Sequence, residues 1–239
     1  VKTASQNEVA NISAEPFSEA LAHLFIMYGA GYISFEKLES IADDVCGTFA
    51  EITDFTDMFV NCYSLKAIPE NLFRYAVKAT KFYETFGYNA SLKVIPENLF
   101  ANCPEALDFS QCFYGAGTGS SILQGEGNSD VYKLKAFVQK GNRIEIPAGL
   151  FKHNTKAQKF VQTFRDMNIS TVPVDLFANN PEVTSFNGLF TGCTELETVP
   201  ADLFANNQKV TDFKWLFYAT DVKNLPVGLF KHCTPNKSI

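Results

Sequence analysis

The sequence is poor in the residues that most often carry chemistry. Its 239 residues include three His, one Trp and three Met. The six cysteines, Cys46, Cys62, Cys103, Cys112, Cys193 and Cys233, form no CxxC pair, which removes the spacing of a zinc or dithiol redox site. No basic run occurs and the net charge is −6. The electrostatic footprint for a phosphate backbone is therefore missing, and an anionic membrane surface is disfavoured for the same reason. No apolar stretch approaches the ~20 residues that span a bilayer. The longest candidate, Ala20 to Ile33, is interrupted by His23, Gly29 and Gly31 and reads as buried. The chain opens on Val1 with no signal peptide, which suggests a removed leader or a piece of a larger protein.

What the sequence has in excess is phenylalanine, 23 residues of it. One bulky apolar type used so often suggests the same cavity filled repeatedly. Aligning the chain with itself bears on this directly. Pro69, Pro96, Pro147, Pro173, Pro200 and Pro226 each follow Ile, Val or Leu, and each precedes a Leu-Phe pair, from Leu72-Phe73 to Leu229-Phe230. Most steps are 26 or 27 residues; Pro96 to Pro147 is 51. Between these pairs lie two Phe spaced by four: Phe55/Phe59, Phe82/Phe86, Phe109/Phe113, Phe160/Phe164, Phe186/Phe190 and Phe213/Phe217. A shift of 27 residues reaches back to Tyr28, Tyr32 and Ile41. Three residues after each second aromatic stands Asn or a small residue, Met167 excepted; Cys62, Cys103, Cys193 and Cys233 fall here, which argues for buried free thiols.

Each repeat reads as two short strands and two short helical turns. Glu195–Val199 and Lys209–Phe213 are short and rich in β-branched residues, as strands are. Proline ends the first strand and opens a turn, and segments such as Ala201–Asn206 hold helix formers with one apolar stripe. The expected fold is an α/β repeat solenoid, a right-handed leucine-rich-repeat-like coil of about 26 residues per repeat. Stacking buries the second face of each Phe and Leu set, at ~1.5–3 kcal/mol for a large side chain. Residues 1–11 read as a cap or linker, and 12–239 as the solenoid. The 51-residue step calls for a degenerate copy at about 115–145, with Val131, Leu134 and Phe137 as its anchors. A buried Asn in the repeating column would satisfy both backbone donors and acceptors.

The segments Phe59-Val-Asn-Cys62-Tyr-Ser-Leu65-Lys-Ala-Ile68-Pro69 and Phe190-Thr-Gly-Cys193-Thr-Glu-Leu196-Glu-Thr-Val199-Pro200 resemble the BspA-like class of bacterial leucine-rich repeats, over roughly residues 12 to 233. The resemblance implies an extracellular or outer-surface bacterial protein, often lipid-anchored, that binds host or bacterial partners. It implies neither catalytic residues nor a cofactor.

Among individual residues, His153 and His232 share one repeat column, which points to structure. Gly115-x-Gly117-x-Gly119 is a weak phosphate-loop lookalike without the Lys-Ser/Thr ending, and Glu126, Asn128 and Asp130 alternate as calcium ligands do; neither supports a metal or phosphate site. Trp215 stands in a column otherwise held by Asp57, Glu84, Gln111, Gln162 and Gly188, so it should face solvent, where Trp is a favoured interaction anchor. Tyr83 and Tyr114 could add to an aromatic patch, and Trp215 could instead cover the end of the stack. The expectation is a non-enzymatic binding protein with a protein or glycan partner and no nucleic acid; the alternative is a structural spacer or stalk.

Overall fold

The computed structural model describes residues 38–41, 49–118 and 143–233. The proposed cap, Tyr28, Tyr32, Cys46, Gly119, the Glu126–Asp130 alternation and most of the proposed degenerate copy lie outside these residues.

Phenylalanine sets the axis. Three Phe per repeat form three columns. In one, Phe59, Phe86, Phe113, Phe164, Phe190 and Phe217 stack with centroids 5.5–6.0 Å apart and planes within 8°. In the next, Phe55, Phe82, Phe109, Phe160, Phe186 and Phe213 repeat at 5.2–6.0 Å. The third, Phe73 to Phe230, repeats at 5.7–6.2 Å. Rings of the third column meet the second edge-on, as Phe73 meets Phe82 at 5.0 Å. Offset stacking along the axis and edge contacts across it both suit the ring quadrupole, at ~0.5–1.5 kcal/mol per pair beyond burial.

The coils around this core correct the expected α/β solenoid of strands and helical turns. Among the described residues there is no helix, and strand pairing is reduced to single parallel bridges along Asp54, Lys81, Asp108, Lys159, Ser185 and Asp212, with one more between Ala67 and Val94. The expected helical segment after Pro200 is a chain of tight turns: Leu203 donates to Pro200, Ala205 to Asp202, and Asn207 to Phe204, each three residues back. An α-helix needs bonds four residues back, and a proline every 26 or 27 residues stops one from growing.

The expected strand around each four-spaced Phe pair fails for a second reason. Every coil there carries two residues with positive φ, four apart: Asp57/Asn61, Glu84/Tyr88, Gln111/Gly115, Gln162/Asp166, Gly188/Gly192 and Trp215/Ala219. A left-handed residue every fourth position destroys the pleat. It replaces the strand with a ribbon in which alternate peptides point the same way. Phe55, Asp57, Phe59 and Asn61 donate to the carbonyls of Lys81, Tyr83, Thr85 and Gly87 of the next coil. The same four-bond pattern recurs at each of the five interfaces between these six ribbons, at 2.6–3.2 Å. Peptides in between close onto their own turn, as Met58 does onto Phe55 and Val60 onto Asp57.

Across the 51-residue step the described coils stack directly on each other. Phe100 stacks on Phe151 at 5.9 Å, Phe109 on Phe160 at 5.4 Å and Phe113 on Phe164 at 6.0 Å. A copy expected between them is not interposed in the stack. Gly115, the first glycine of the phosphate-loop lookalike, is a left-handed ribbon residue that donates to the Arg165 carbonyl.

The buried column after Phe73 and its equivalents is Ala76, Cys103, Asn154, Asn180, Asn207 and Cys233. Each Asn donates twice to the preceding coil: Asn154 to the carbonyls of Phe100 and Cys103, Asn180 to Phe151 and Asn154, Asn207 to Phe177 and Asn180. Their Oδ1 atoms meet no protein donor, so these side chains serve acceptors only. Asn89, on the other side of the coil, does the reverse and accepts from Cys62 N–H. Cys62, Cys103, Cys112, Cys193 and Cys233 are free and buried. Burial pushes the Cys103 thiol up to about 12, far from a reactive thiolate.

Asn180→Val is expected to strand two buried carbonyls at a cost of about 2–4 kcal/mol, read from the shift of a denaturant midpoint. Asn180→Asp should cost at least as much, because its carboxylate offers no donor.

Candidate functional site

The ribbon face is where side chains that do not pack are displayed. Its left-handed positions aim away from the Phe columns, which explains their composition: Asp57, Glu84, Gln111, Gln162 and Gly188 precede Trp215 in one column. Trp215 keeps φ at 55° and is 65% exposed. A bulky aromatic is rare in this backbone region, so the ribbon hydrogen bonds hold it there against local preference. Tyr218, three residues on, is 54% exposed. Leu225 is exposed as well, although Ile68, Ile95, Ile146, Val172 and Val199 in the same column are buried.

The three aromatics singled out from sequence share this face but form no single patch. Tyr83 is half-buried in the second described ribbon, with Lys81 Nζ 5.7 Å from its ring centre. Tyr114 lies in the third ribbon and Trp215 in the sixth, three steps of 5.4–6.0 Å farther along. Trp215 has Tyr218 as its aromatic neighbour in the same ribbon.

Tyr114 belongs to a cluster that sequence reasoning passed over. Its ring centre is 4.7 Å from that of Tyr88, and the Arg165 guanidinium lies 5.1 Å above it. Arg165 Nε donates to Asp166 Oδ2 at 3.2 Å. Both charged side chains are largely covered, unlike the lysine–carboxylate pairs between coils, which are about half exposed. Burial raises the Asp166 carboxyl above its usual range while Arg165 opposes it; burial raises the Tyr88 and Tyr114 hydroxyls too. Gly192 makes room for this group. A Cβ there would lie 1.7 Å from Asp166 Oδ1, in a backbone with φ at 75°. The sequence signal was a small residue one coil beyond a charged one in the same column, Asp166 then Gly192.

Acidic groups gather at the other end of the face. Burial raises the Asp57 carboxyl, with Lys81 opposing and Asp54 adding to the rise. Glu84 is raised by burial first and by the Asp57 charge second. A carboxyl whose folded value is raised contributes stability below the unfolded value of ~4.3 and loses it as pH rises through the folded value. Among the described residues no three His, Cys, Asp or Glu side chains come together as ligands for a metal ion, and no helix is long and apolar enough to cross a membrane.

Two outcomes test this geometry. Glu84→Gln should raise the unfolding midpoint at pH 7, with the gain shrinking towards zero at about pH 4. Gly192→Ala should destabilise, and much of that loss should vanish in an Asp166→Ala background, giving a coupling of about 0.5–3 kcal/mol in a double-mutant cycle.

No protein-family model matches the chain, and no curated protein matches it. Among solved structures, one of the glycosylated Toll–Spatzle complex, described as a molecular hub in Drosophila development and innate immunity, is 15% identical over 82% of this chain and 31% of the other, with a TM-score of 0.32. A second structure of that complex is 12% identical over 78% of this chain and 31% of the other, at a TM-score of 0.17. The chain thus spans about a third of the Toll–Spatzle chains it matches.

Proposed function

We propose that this chain is a non-enzymatic binding module that presents its ribbon face to a protein or glycan partner, as an extracellular or outer-surface bacterial protein of the BspA-like kind. The observation that carries the reading is Trp215, exposed at 65% in a left-handed backbone position. A large ring kept in solvent and in a disfavoured conformation has no packing role in the stack. Trp is also a residue around which binding energy concentrates. Tyr218, three residues on in the same ribbon, is exposed too, and its hydroxyl adds a polar group suited to a sugar or a peptide. The repeating interior supports the same reading, because aromatic columns fill the coil and leave display to the ribbon side chains.

A spacer role is the second reading. It is favoured by the exposed lysine–carboxylate pairs that tie successive coils, such as Lys78–Glu51 and Lys209–Glu182, which give a charge-paired polar exterior.

The deciding experiment is a binding screen against extracellular-matrix proteins and a glycan array, with Trp215→Ala and Tyr218→Ala beside the wild type. The expected result is a ligand whose affinity drops at least about tenfold in Trp215→Ala, as for an interface hot spot, with the melting temperature unchanged. A ligand bound equally well by both variants would remove the aromatic pair from the site, and an empty screen would favour the spacer.

A further inference from the structure

Among the six described ribbons, the fifth has glycine at both left-handed positions, Gly188 and Gly192. Between them Leu189, Phe190 and Thr191 are buried. The fifth ribbon therefore raises no side chain of its own at these positions. Its neighbours, the fourth and the sixth, stand two steps of 5.9 Å apart.

Side chains of the fourth ribbon lie down over this floor. A Cβ on Gly188 would come within 2.9 Å of Gln162 Cγ and 3.6 Å of its Nε2, and a Cβ on Gly192 within 1.7 Å of Asp166 Oδ1. The two glycines thus let two polar side chains lean along the stack towards the sixth ribbon. The Gln162 amide makes no side-chain hydrogen bond among the described residues. Asp166 holds Arg165 Nε through Oδ2, and the Arg165 guanidinium lies over the Tyr114 ring, so its position is fixed twice. The terminal nitrogens of Arg165 meet no acceptor among the described residues.

The sixth ribbon supplies the other side. Thr191 Oγ1 donates to the Trp215 carbonyl at 2.6 Å, and the Gly192 amide donates to the Tyr218 carbonyl at 2.8 Å. These bonds place the exposed residues Trp215 and Tyr218 directly beside the glycine floor.

The groups left over do not suit an added strand. The fifth ribbon's amides at Phe186, Gly188, Phe190 and Gly192 donate to the sixth, and its carbonyls at Ser185, Asn187, Leu189 and Thr191 accept from the fourth. No backbone edge is open there for a peptide to extend. What remains is aromatic surface next to an amide, a carboxylate and a guanidinium. Adjacent sugar hydroxyls both donate and accept, which suits those three groups, and the C–H face of the same ring suits an indole. Arg165 and Asp166 cancel in charge, which favours an uncharged ring over a uronate.

We propose that the recess over Gly188 and Gly192 is a carbohydrate subsite for one neutral pyranose, with its C–H face on Trp215 and its adjacent hydroxyls on Gln162, Arg165 and Asp166. The inference rests on the binding-module reading and narrows its partner to a glycan.

The full chain is to be titrated with the methyl glycosides of glucose, galactose, mannose and N-acetylglucosamine, and separately with glucuronic acid, each up to about 50 mM, a range that covers the weak affinity of a single ring. Trp215 is the one Trp in the sequence, so its indole N–H gives an unambiguous NMR signal. The expected result is a saturable shift of that signal with at least one neutral glycoside. Gln162→Leu and Asp166→Asn should each weaken binding at least about tenfold. Circular dichroism melts establish that each variant is folded; if Asp166→Asn is not, Gln162→Leu decides. No saturable shift with any neutral glycoside, saturation with glucuronic acid alone, or unchanged affinity in Gln162→Leu would each overturn the subsite. A matrix protein whose binding is lost in Trp215→Ala but kept in Gln162→Leu and Asp166→Asn would also overturn it, while leaving the binding module standing.

Discussion

Each coil is held by peptides that all point the same way. A left-handed residue at every fourth ribbon position turns alternate peptide planes parallel to the stack axis, with N–H towards the later coil and C=O towards the earlier one. Left-handed non-glycine residues cost ~1–2 kcal/mol each when considered alone. Four inter-coil hydrogen bonds per interface offset that cost, together with the aromatic contacts they bring into register. Remove the parallel peptides and the Phe columns lose their spacing; remove the Phe columns and the ribbon has nothing to pack on. Order therefore spreads between neighbouring coils, as in other quasi-one-dimensional repeat proteins.

The repeat period and its aromatic anchors were legible in the sequence, because packing needs the same large ring at each level. Phe86, Phe113, Phe190 and Phe217 align as their spacing required. The backbone was not legible, and for a definite reason. Left-handed conformation is usually signalled by Gly or Asn, but here its two columns hold Asp57, Glu84, Gln111, Gln162 and Trp215, then Asn61, Tyr88, Asp166 and Ala219, with glycine in only some copies. Residues of good strand or helix propensity were thus placed in turns by tertiary hydrogen bonding, which routinely overrides local preference.

The candidate site was half visible. Exposure of Trp215 followed from the polar company it keeps in its column, which is a solvent-facing position read without knowing its φ. The Tyr88–Tyr114–Arg165–Asp166 cluster was not, because its members come from three coils and meet only once the 51-residue step is closed. Phe113 and Phe164 are 51 residues apart yet adjacent in the stack, a separation that spacing alone would count as two levels. The asparagine column was foreseen as a buried polar spine. Its one-sided chemistry was not, because the orientation of the carbonyls around it is set by the ribbon.

That same step has a consequence for how the fold accommodates change. Phe113 and Phe164 lie as close as rings 26 residues apart do elsewhere, so the added chain between them leaves the register of the stack intact. Closing a longer loop costs only ~0.6 kcal/mol per doubling of its length, little against the contacts that a coil makes. Extra chain between Phe113 and Phe164 is thus taken up at little cost while the rings keep their spacing.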